Sequence, residues 1–248
     1  MTIRSFLRNP VNYLGKQAVD RFIKGWWRFE SGAESFAQSL YLRRLFEKYE
    51  VDAVFDVGAS GGEYRDFLRN NVGFKGVIFS FEPLPDMVRL MKSRAKDDHK
   101  WHIIECALGR EQGTMAFNRT QSVQFSSFLQ PKHDDVDMFA RYNKVSDIVD
   151  VKVDTISRTF DDMRKICPFR HPYLKVDTQG FDLEVLRGAG DKIREFIALQ
   201  TEVGFRNIYE GAPGIDETLQ EMRRCGFVLR LPRKIASFQR DQNPIQGC

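Results

Sequence analysis

Between residues 51 and 109 the chain alternates short β-branched runs with helical ones, and that alternation limits the folds open to it. VDAVFDVG (51–58) is a buried strand ending in Gly, and EYRDFLRNN (63–71) is helical. VIFSFEP (77–83) is a strand stopped by Pro83, and PDMVRLMKSRAK (85–96) is a helix with Pro85 in its first turn. WHIIECALG (101–109) is a third strand. The pattern resumes with strand YLKVD (173–177), helix FDLEVLRGA (181–189) and strand FIALQTEV (196–203). Helix GIDETLQEMRRCG (214–226), closed by Gly226, and strand FVLRL (227–231) complete it. Strands alternating with helices imply an α/β architecture, a parallel sheet with crossovers.

Two regions depart from this rhythm. In the middle, GTMAFNRT (113–120), VQFSSFL (123–129) and VDVKV (149–153) read as strands around a polar stretch at HDDVD (133–137). Over sixty residues separate the third strand from Tyr173, and long connections of this kind in α/β domains usually serve function. At the start, residues 1–50 read as a helical extension. Leu14, Ala18, Phe22 and Trp26 fall four apart, and after Ser31-Gly32 a second helix sets Phe36, Leu40, Leu45 and Phe46 near one face.

Charge is concentrated in that extension. Residues 1–29 hold six basic groups against Asp20, a net +5 in a chain of +4, so the remainder sums to −1. A nearly neutral body has no nucleic-acid-scale basic field, and no nucleic-acid partner is expected. Basic residues interleaved with Phe6, Leu14, Phe22, Trp26 and Trp27 suit peripheral contact with an anionic membrane surface. The competing expectation, which we weight more heavily, is a helix packed on the sheet domain with its charges in water.

At 248 residues with 42% apolar content, the chain can bury a core without staples. It has no apolar run of 18 residues to span a bilayer, and MTIRSFLRNP lacks the apolar region of a secretory signal. Cys106, Cys167, Cys225 and Cys248 are scattered, and His99, His102, His133 and His171 show no ligand spacing. A cytoplasmic setting and no metal are expected.

Five places carry chemistry. The first is Asp56-Val57-Gly58-Ala59-Ser60-Gly61-Gly62, where a strand enters a Gly-rich turn. The spacing is not the dinucleotide fingerprint, and an acid two residues before the first Gly attracts a cation rather than a pyrophosphate. The second is Glu82 before Pro83, 24 residues after Gly58, where a carboxylate can take both hydroxyls of an adenosine ribose. The third is Glu105-Cys106-Ala107-Leu108-Gly109, whose small Cys106 and Ala107 leave room for an adenine ring; a buried strand-end Cys explains it as well.

The fourth is Tyr173-Leu174-Lys175-Val176-Asp177-Thr178-Gln179-Gly180. Period two puts Lys175 and Asp177 on one strand face, with Asp177 at the ligand edge or capping the next helix. The fifth is Gln200-Thr201-Glu202-Val203, which brings Glu202 beside Asp177. Either acid can take a proton from a hydroxyl, and Asp177 is preferred. Ser126 and Ser127 in the long connection are candidates for bonding sugar hydroxyls. No GxSxG elbow and no phosphate-binding GxxxxGK[ST] loop is present, and the 21 Phe residues read as core.

Taken in order, these places resemble the FkbM family of S-adenosylmethionine-dependent methyltransferases over residues 51–231. FDVGASGGEY (55–64), FEPLPDMVRLM (81–91), CALG (106–109), VKVDTIS (151–157) and TEV (201–203) are similar to family motifs. LKVDTQGFDLEVLRGA (174–189) is similar to its most specific segment. Three positions depart: Ser60 stands for the usual Asn, Ser157 for an acid and Gln179 for a frequent Glu.

The resemblance implies a class I, Rossmann-like three-layer sandwich with a mostly parallel seven-stranded sheet and an antiparallel last strand. It divides the chain into the extension 1–50 and a methyltransferase domain 51–240, with 110–172 covering the substrate. It implies S-adenosyl-L-methionine held by Asp56, Gly58, Ala59, Ser60, Gly62, Glu82, Pro83, Cys106, Ala107 and Asp177. It also implies methylation of a hydroxyl on a sugar, glycan or secondary metabolite, with Asp177 or Glu202 as base. The rivals are a non-catalytic adenosine-binding module and an RNA 2′-O-methyltransferase.

Overall fold

The computed structural model describes Gly32 and residues 35–132, 143–202, 208–231 and 235–240. The basic segment 1–29 and the HDDVD stretch therefore lie outside the described residues.

The sheet is built outward from β1 (Ala53–Val57). On one side lie β2 (Val77–Phe81) and β3 (Trp101–Ile104). On the other are β7 (Pro172–Val176), β8 (Ala198–Glu202), β10 (Ile235–Arg240) and β9 (Phe227–Leu231), giving the order β3-β2-β1-β7-β8-β10-β9. The first five run parallel. β10, the last strand in the chain, is antiparallel to both neighbours. This is the expected class I arrangement: a mostly parallel sheet whose last strand, β10, runs reversed between β8 and β9.

Strand periodicity divides the core in two. Ala53, Phe55 and Val57 face one cluster, built with Ile156, Phe160 and Met163 of α4 (Ile156–Ile166) and Leu183, Val185 and Leu186 of α5 (Asp182–Arg187). Met222 of α6 (Ile215–Arg224) closes that layer. The Phe55 ring stands 5.2–5.6 Å from those of Phe79, Phe160, Phe169 and Phe196, so many phenylalanines are core, as expected. Val54, on the opposite face, packs in the second cluster. There it meets Leu42, Leu45 and Phe46 of α1 (35–48), Leu68 after α2 (Glu63–Phe67), and Val88 and Met91 of α3 (Pro85–Arg94).

Several expectations are corrected. In α1 the buried face runs through Leu42, Leu45 and Phe46, while Phe36 is 64% and Leu40 36% exposed. The run 101–109 is not one strand. β3 ends at Ile104, and β4 (Ala107–Leu108) leaves the main sheet to pair with β6 (Val145–Asp154). β6 also pairs antiparallel with β5 (Gly113–Thr120), making a small side sheet. VQFSSFL is a tight turn over Val123–Phe125 followed by a single bridge, Asn118 to Ser127. The long connection thus supplies both a roof, from β5 and residues 121–132, and a crossover helix, α4.

Candidate active site

A cleft of about 500 Å³ opens at the C-terminal ends of β1, β2 and β7, the edge where open α/β sheets bind ligands. Its floor is Val57, Gly58, Ala59 and Ser60 from the first turn and Phe81 and Glu82 from β2. Phe117, Val123, Phe125 and Phe128 form the roof. Backbone bonds clamp the roof to the segment after β8: Lys132 N donates to Ile208 O and Glu210 N to Gln130 O, both at 2.8 Å. The Phe128 ring also meets Phe181, with centroids 4.7 Å apart.

Gly58 has φ +75°, and a Cβ there would fall 1.9 Å from the Asp177 carbonyl oxygen. The turn is therefore pressed against the end of β7. Its donors are engaged: the Gly58 and Ala59 N–H groups bond Phe81 O, and Ser60 N–H bonds Glu82 Oε2 at 2.9 Å. With its Gly58, Ala59 and Ser60 donors engaged, the start of the turn is not set to cradle a pyrophosphate, which agrees with the spacing in the sequence. Gly62 lies off the cleft. A Cβ there would meet the Trp101 ring at 2.7 Å, so its role is packing.

Asp56 is wholly buried under the turn and does not line the cleft. Register places Ser80, Asp56, Lys175 and Gln200 side by side on β2, β1, β7 and β8. Lys175 Nζ lies 3.0 Å from Asp56 Oδ1 and donates to Gly58 O at 3.0 Å, while Ser80 Oγ donates to Asp56 Oδ2 at 3.1 Å. The charge of Asp56 is matched by that of Lys175. Burial works against the Lys175 charge, but the Asp56 and Asp177 carboxylates overcome it and raise its pKa.

Glu82 is 5% exposed and faces the cleft. Ser60 N–H holds one carboxylate oxygen and Leu84 N–H the other, each at 2.9 Å. Each oxygen keeps acceptor capacity, so the carboxylate can still take two hydroxyl donors. Burial pushes its pKa up to about 7 against the pull of those N–H bonds. Pro83, Ala107 and Leu108 line the adjoining wall. Cys106 does not: it is buried in the main core, where desolvation pushes its thiol up to about 11. The cleft volume, the apolar wall beside Glu82 and its spare acceptors fit an adenosine-bearing donor.

Asp177 also lines the cleft, with its side chain 42% exposed. It does not cap α5, whose N-cap Phe181 has no side-chain hydrogen bond. Buried Asp182 orders that loop instead, accepting from Thr178 N at 2.7 Å and Thr201 Oγ1 at 2.7 Å. Glu202 does stand beside Asp177. The Gln179 amide nitrogen donates to Asp177 Oδ1 at 2.9 Å and to Glu202 Oε2 at 3.3 Å. Desolvation, then the Asp177 and Asp182 charges, push Glu202 up to about 7. Ser127 is fully buried and donates to Gln179 O at 2.8 Å, and Ser126 Oγ accepts from Thr120 N at 3.1 Å; both serve the roof. Among the described residues, no group of three His, Cys, Asp or Glu side chains is placed to hold a metal, and no helix is long and apolar enough to cross a membrane.

Sequence reasoning does not reach Tyr209, and it names Lys175 and Gln179 without assigning them a site. Lys175 is legible only as a face-mate of Asp177. Gln179 and Tyr209 meet through a turn whose geometry has no composition signal.

A family profile described as "Methyltransferase FkbM domain" matches residues 56–229. A comparison with curated proteins returns no match. Among solved structures, the chain is similar to methyltransferase FkbM from Methylobacillus flagellatus KT, at 18% identity and a TM-score of 0.47, over 76% of this chain and 43% of that one. It thus spans less than half of that protein. It is similar to Aeropyrum pernix fibrillarin with natively bound S-adenosyl-L-methionine, at 13% identity and a TM-score of 0.41, over 75% of this chain and 65% of that one. It is also similar to an S-adenosylmethionine-dependent O-methyltransferase from Thermotoga maritima, at 15% identity and a TM-score of 0.40, over 84% and 66% of the two chains.

Proposed function

The chain belongs to the FkbM family of S-adenosyl-L-methionine-dependent methyltransferases, and from that premise we propose that it methylates a hydroxyl of a neutral sugar, glycan or related metabolite. The observation that carries this reading is Asp177, a half-exposed carboxylate on the cleft wall. A hydroxyl nucleophile must lose its proton as the new bond forms, and a carboxylate in reach accepts it late in the step.

When bound, S-adenosyl-L-methionine supplies the activated methyl group. Glu82 would hold its ribose hydroxyls, Pro83, Ala107 and Leu108 its adenine, and the Gly58–Ser60 backbone the adjoining part. The roof phenylalanines shield the cleft from water, which would compete as an acceptor. The clamp between residues 130–132 and 208–210 holds that roof, so the acceptor meets a preformed wall. Positioning of this kind supplies most of the rate in an in-line transfer between two bound partners.

Among the described residues the mouth is acidic. Glu63 and Asp177 line the cleft, Glu202 stands next to Asp177, and the nearby cation Lys175 is already paired with Asp56. That field disfavours phosphorylated acceptors and the RNA backbone. The test is transfer of radiolabelled methyl from S-adenosyl-L-methionine to neutral sugars, phosphorylated sugars, amines and RNA. Label on neutral hydroxylated acceptors supports the reading. Label confined to RNA, phosphorylated sugars or amines, or cofactor binding with no transfer to any of them, overturns it.

A further inference from the structure

The geometry points to Gln179 as a positioning residue that holds the Asp177 and Glu202 carboxylates in place and ties them to the roof of the cleft. The inference rests on the reading of Asp177 as the group that receives the acceptor proton.

Four bonds meet at this residue. Its amide nitrogen donates to Asp177 Oδ1 at 2.9 Å and to Glu202 Oε2 at 3.3 Å. Its amide oxygen lies 2.9 Å from the Tyr209 hydroxyl, which is also 2.9 Å from the roof carbonyl of Phe125. Its backbone carbonyl accepts from roof residue Ser127 at 2.8 Å. The backbone is held at φ +55°, a left-handed conformation that costs a non-glycine residue about 1–2 kcal/mol. The next residue, Gly180, has φ +90°, and a Cβ there would press on Ala212 and Leu129 at 3.2 Å. The pair is thus wedged between the roof and the segment after β8, with the strain at Gln179, and it aims the amide at both acids.

The amide matters because of the charges around it. Asp182 on α5 adds a third acid, and Tyr209 brings a hydroxyl from the opposite side. Lys175 on β7 is 3.8 Å from Asp177 Oδ2 but sits 3.0 Å from Asp56 on β1. Gln179 supplies two N–H donors where the lysine charge is already shared. Donation to Oδ1 fixes the Asp177 carboxylate and leaves Oδ2 to receive a proton. A carboxylate at position 179 would do the reverse, setting a third charge against two acids.

The test needs neither an acceptor nor turnover. The full chain, labelled with carboxyl ¹³C-Asp and ¹³C-Glu, is titrated by NMR as wild type, Gln179→Glu, Gln179→Leu and Tyr209→Phe, with circular dichroism reporting the fold. The Glu202 midpoint should rise by about one pH unit or more in Gln179→Glu, since neighbouring like charges couple at this scale. It should rise less in Gln179→Leu, and the Asp177 carboxyl signal should move in both. Tyr209→Phe keeps the ring and removes the bond that orients the amide, so a smaller displacement of the same sign is expected even if the Gln179 variants fail to fold. Wild-type signals for both acids in every folded variant would overturn the proposal. Loss of turnover in Asp177→Asn bears on the proton acceptor alone, so either idea can fail while the other stands.

Discussion

Lys175 Nζ lies 3.0 Å from Asp56 Oδ1, with both side chains buried at the Gly58 turn. The pair stands at matched register on β1 and β7 and reaches Gly58 O on one side. The most prominent acid of the first motif therefore braces the turn from below, while Glu82 and Asp177 line the cleft.

Breaking that pair should cost far more than removing it whole. Lys175→Met leaves Asp56 buried with only Ser80, and such a loss costs about 3–5 kcal/mol. The double variant Asp56→Asn/Lys175→Met should recover part of that cost. Urea unfolding of wild type, both singles and the double checks it. A double variant as unstable as the two singles added together would show that the pair is not coupled.

How much of this is legible in the sequence follows from which forces act locally. β1, β2, β5, β7 and β9 lie within two residues of the predicted runs, because β-branched stretches bounded by turn residues need little help from the rest of the chain. Val123, Phe125 and Phe128 mimic a strand, yet they line a cleft. β10 escapes the sequence reading, because its run IASFQR has weak patterning and is set by pairing with β8 and β9. Glu82 and Asp177 are legible because strand ends fix where they emerge. Asp56 reads as a ligand group but lies buried off the cleft, and the sequence could not show this because its partner is over a hundred residues away and only register joins them.

Glu82 should control cofactor affinity and its pH dependence. Hydrogen bonds to a charged acceptor contribute about 1.5–3 kcal/mol each, so Glu82→Ala should weaken S-adenosyl-L-methionine roughly 10- to 150-fold. The ionised form accepts the hydroxyls, and its pKa in the folded chain is about 7, so affinity should fall as pH drops through that value. Stability runs the other way. The folded chain keeps a proton that the unfolded chain releases above 4.5, so unfolding free energy should decline between 4.5 and about 7, by up to ~1.4 kcal/mol per pH unit. Calorimetric titration from pH 6 to 8 and urea unfolding across the lower window read the two effects. A flat affinity profile would remove Glu82 from the site.

Two glycines of similar backbone angle should respond differently to alanine. Gly73 has φ +80° with open space where a methyl group would stand, so Gly73→Ala loses only what the left-handed backbone costs, about 1–2 kcal/mol. Gly58 has φ +75°, and its Cβ would overlap the Asp177 carbonyl. Gly58→Ala should lose at least ~4 kcal/mol or fail to fold, since the turn and the end of β7 cannot both stay in place. Thermal unfolding of the two variants decides the point, and equal losses would mean that the close approach is not obligatory.

Asp177→Asn separates binding from chemistry. The substitution keeps size and the bond from Gln179 to the side-chain oxygen, so the loop and the roof should survive. It removes the acceptor for the hydroxyl proton, a need that arises only in the transition state. General-base contributions run to about 10²–10⁴ in rate, so turnover on a hydroxyl acceptor should fall by that order while cofactor affinity changes little. Single-turnover rates and calorimetry on the same preparation provide the comparison. If both fall together, Asp177 holds the cofactor and is not the proton acceptor. If neither falls, the role passes to Glu202, which Gln179 keeps beside it, and Glu202→Gln should then show the loss in its place.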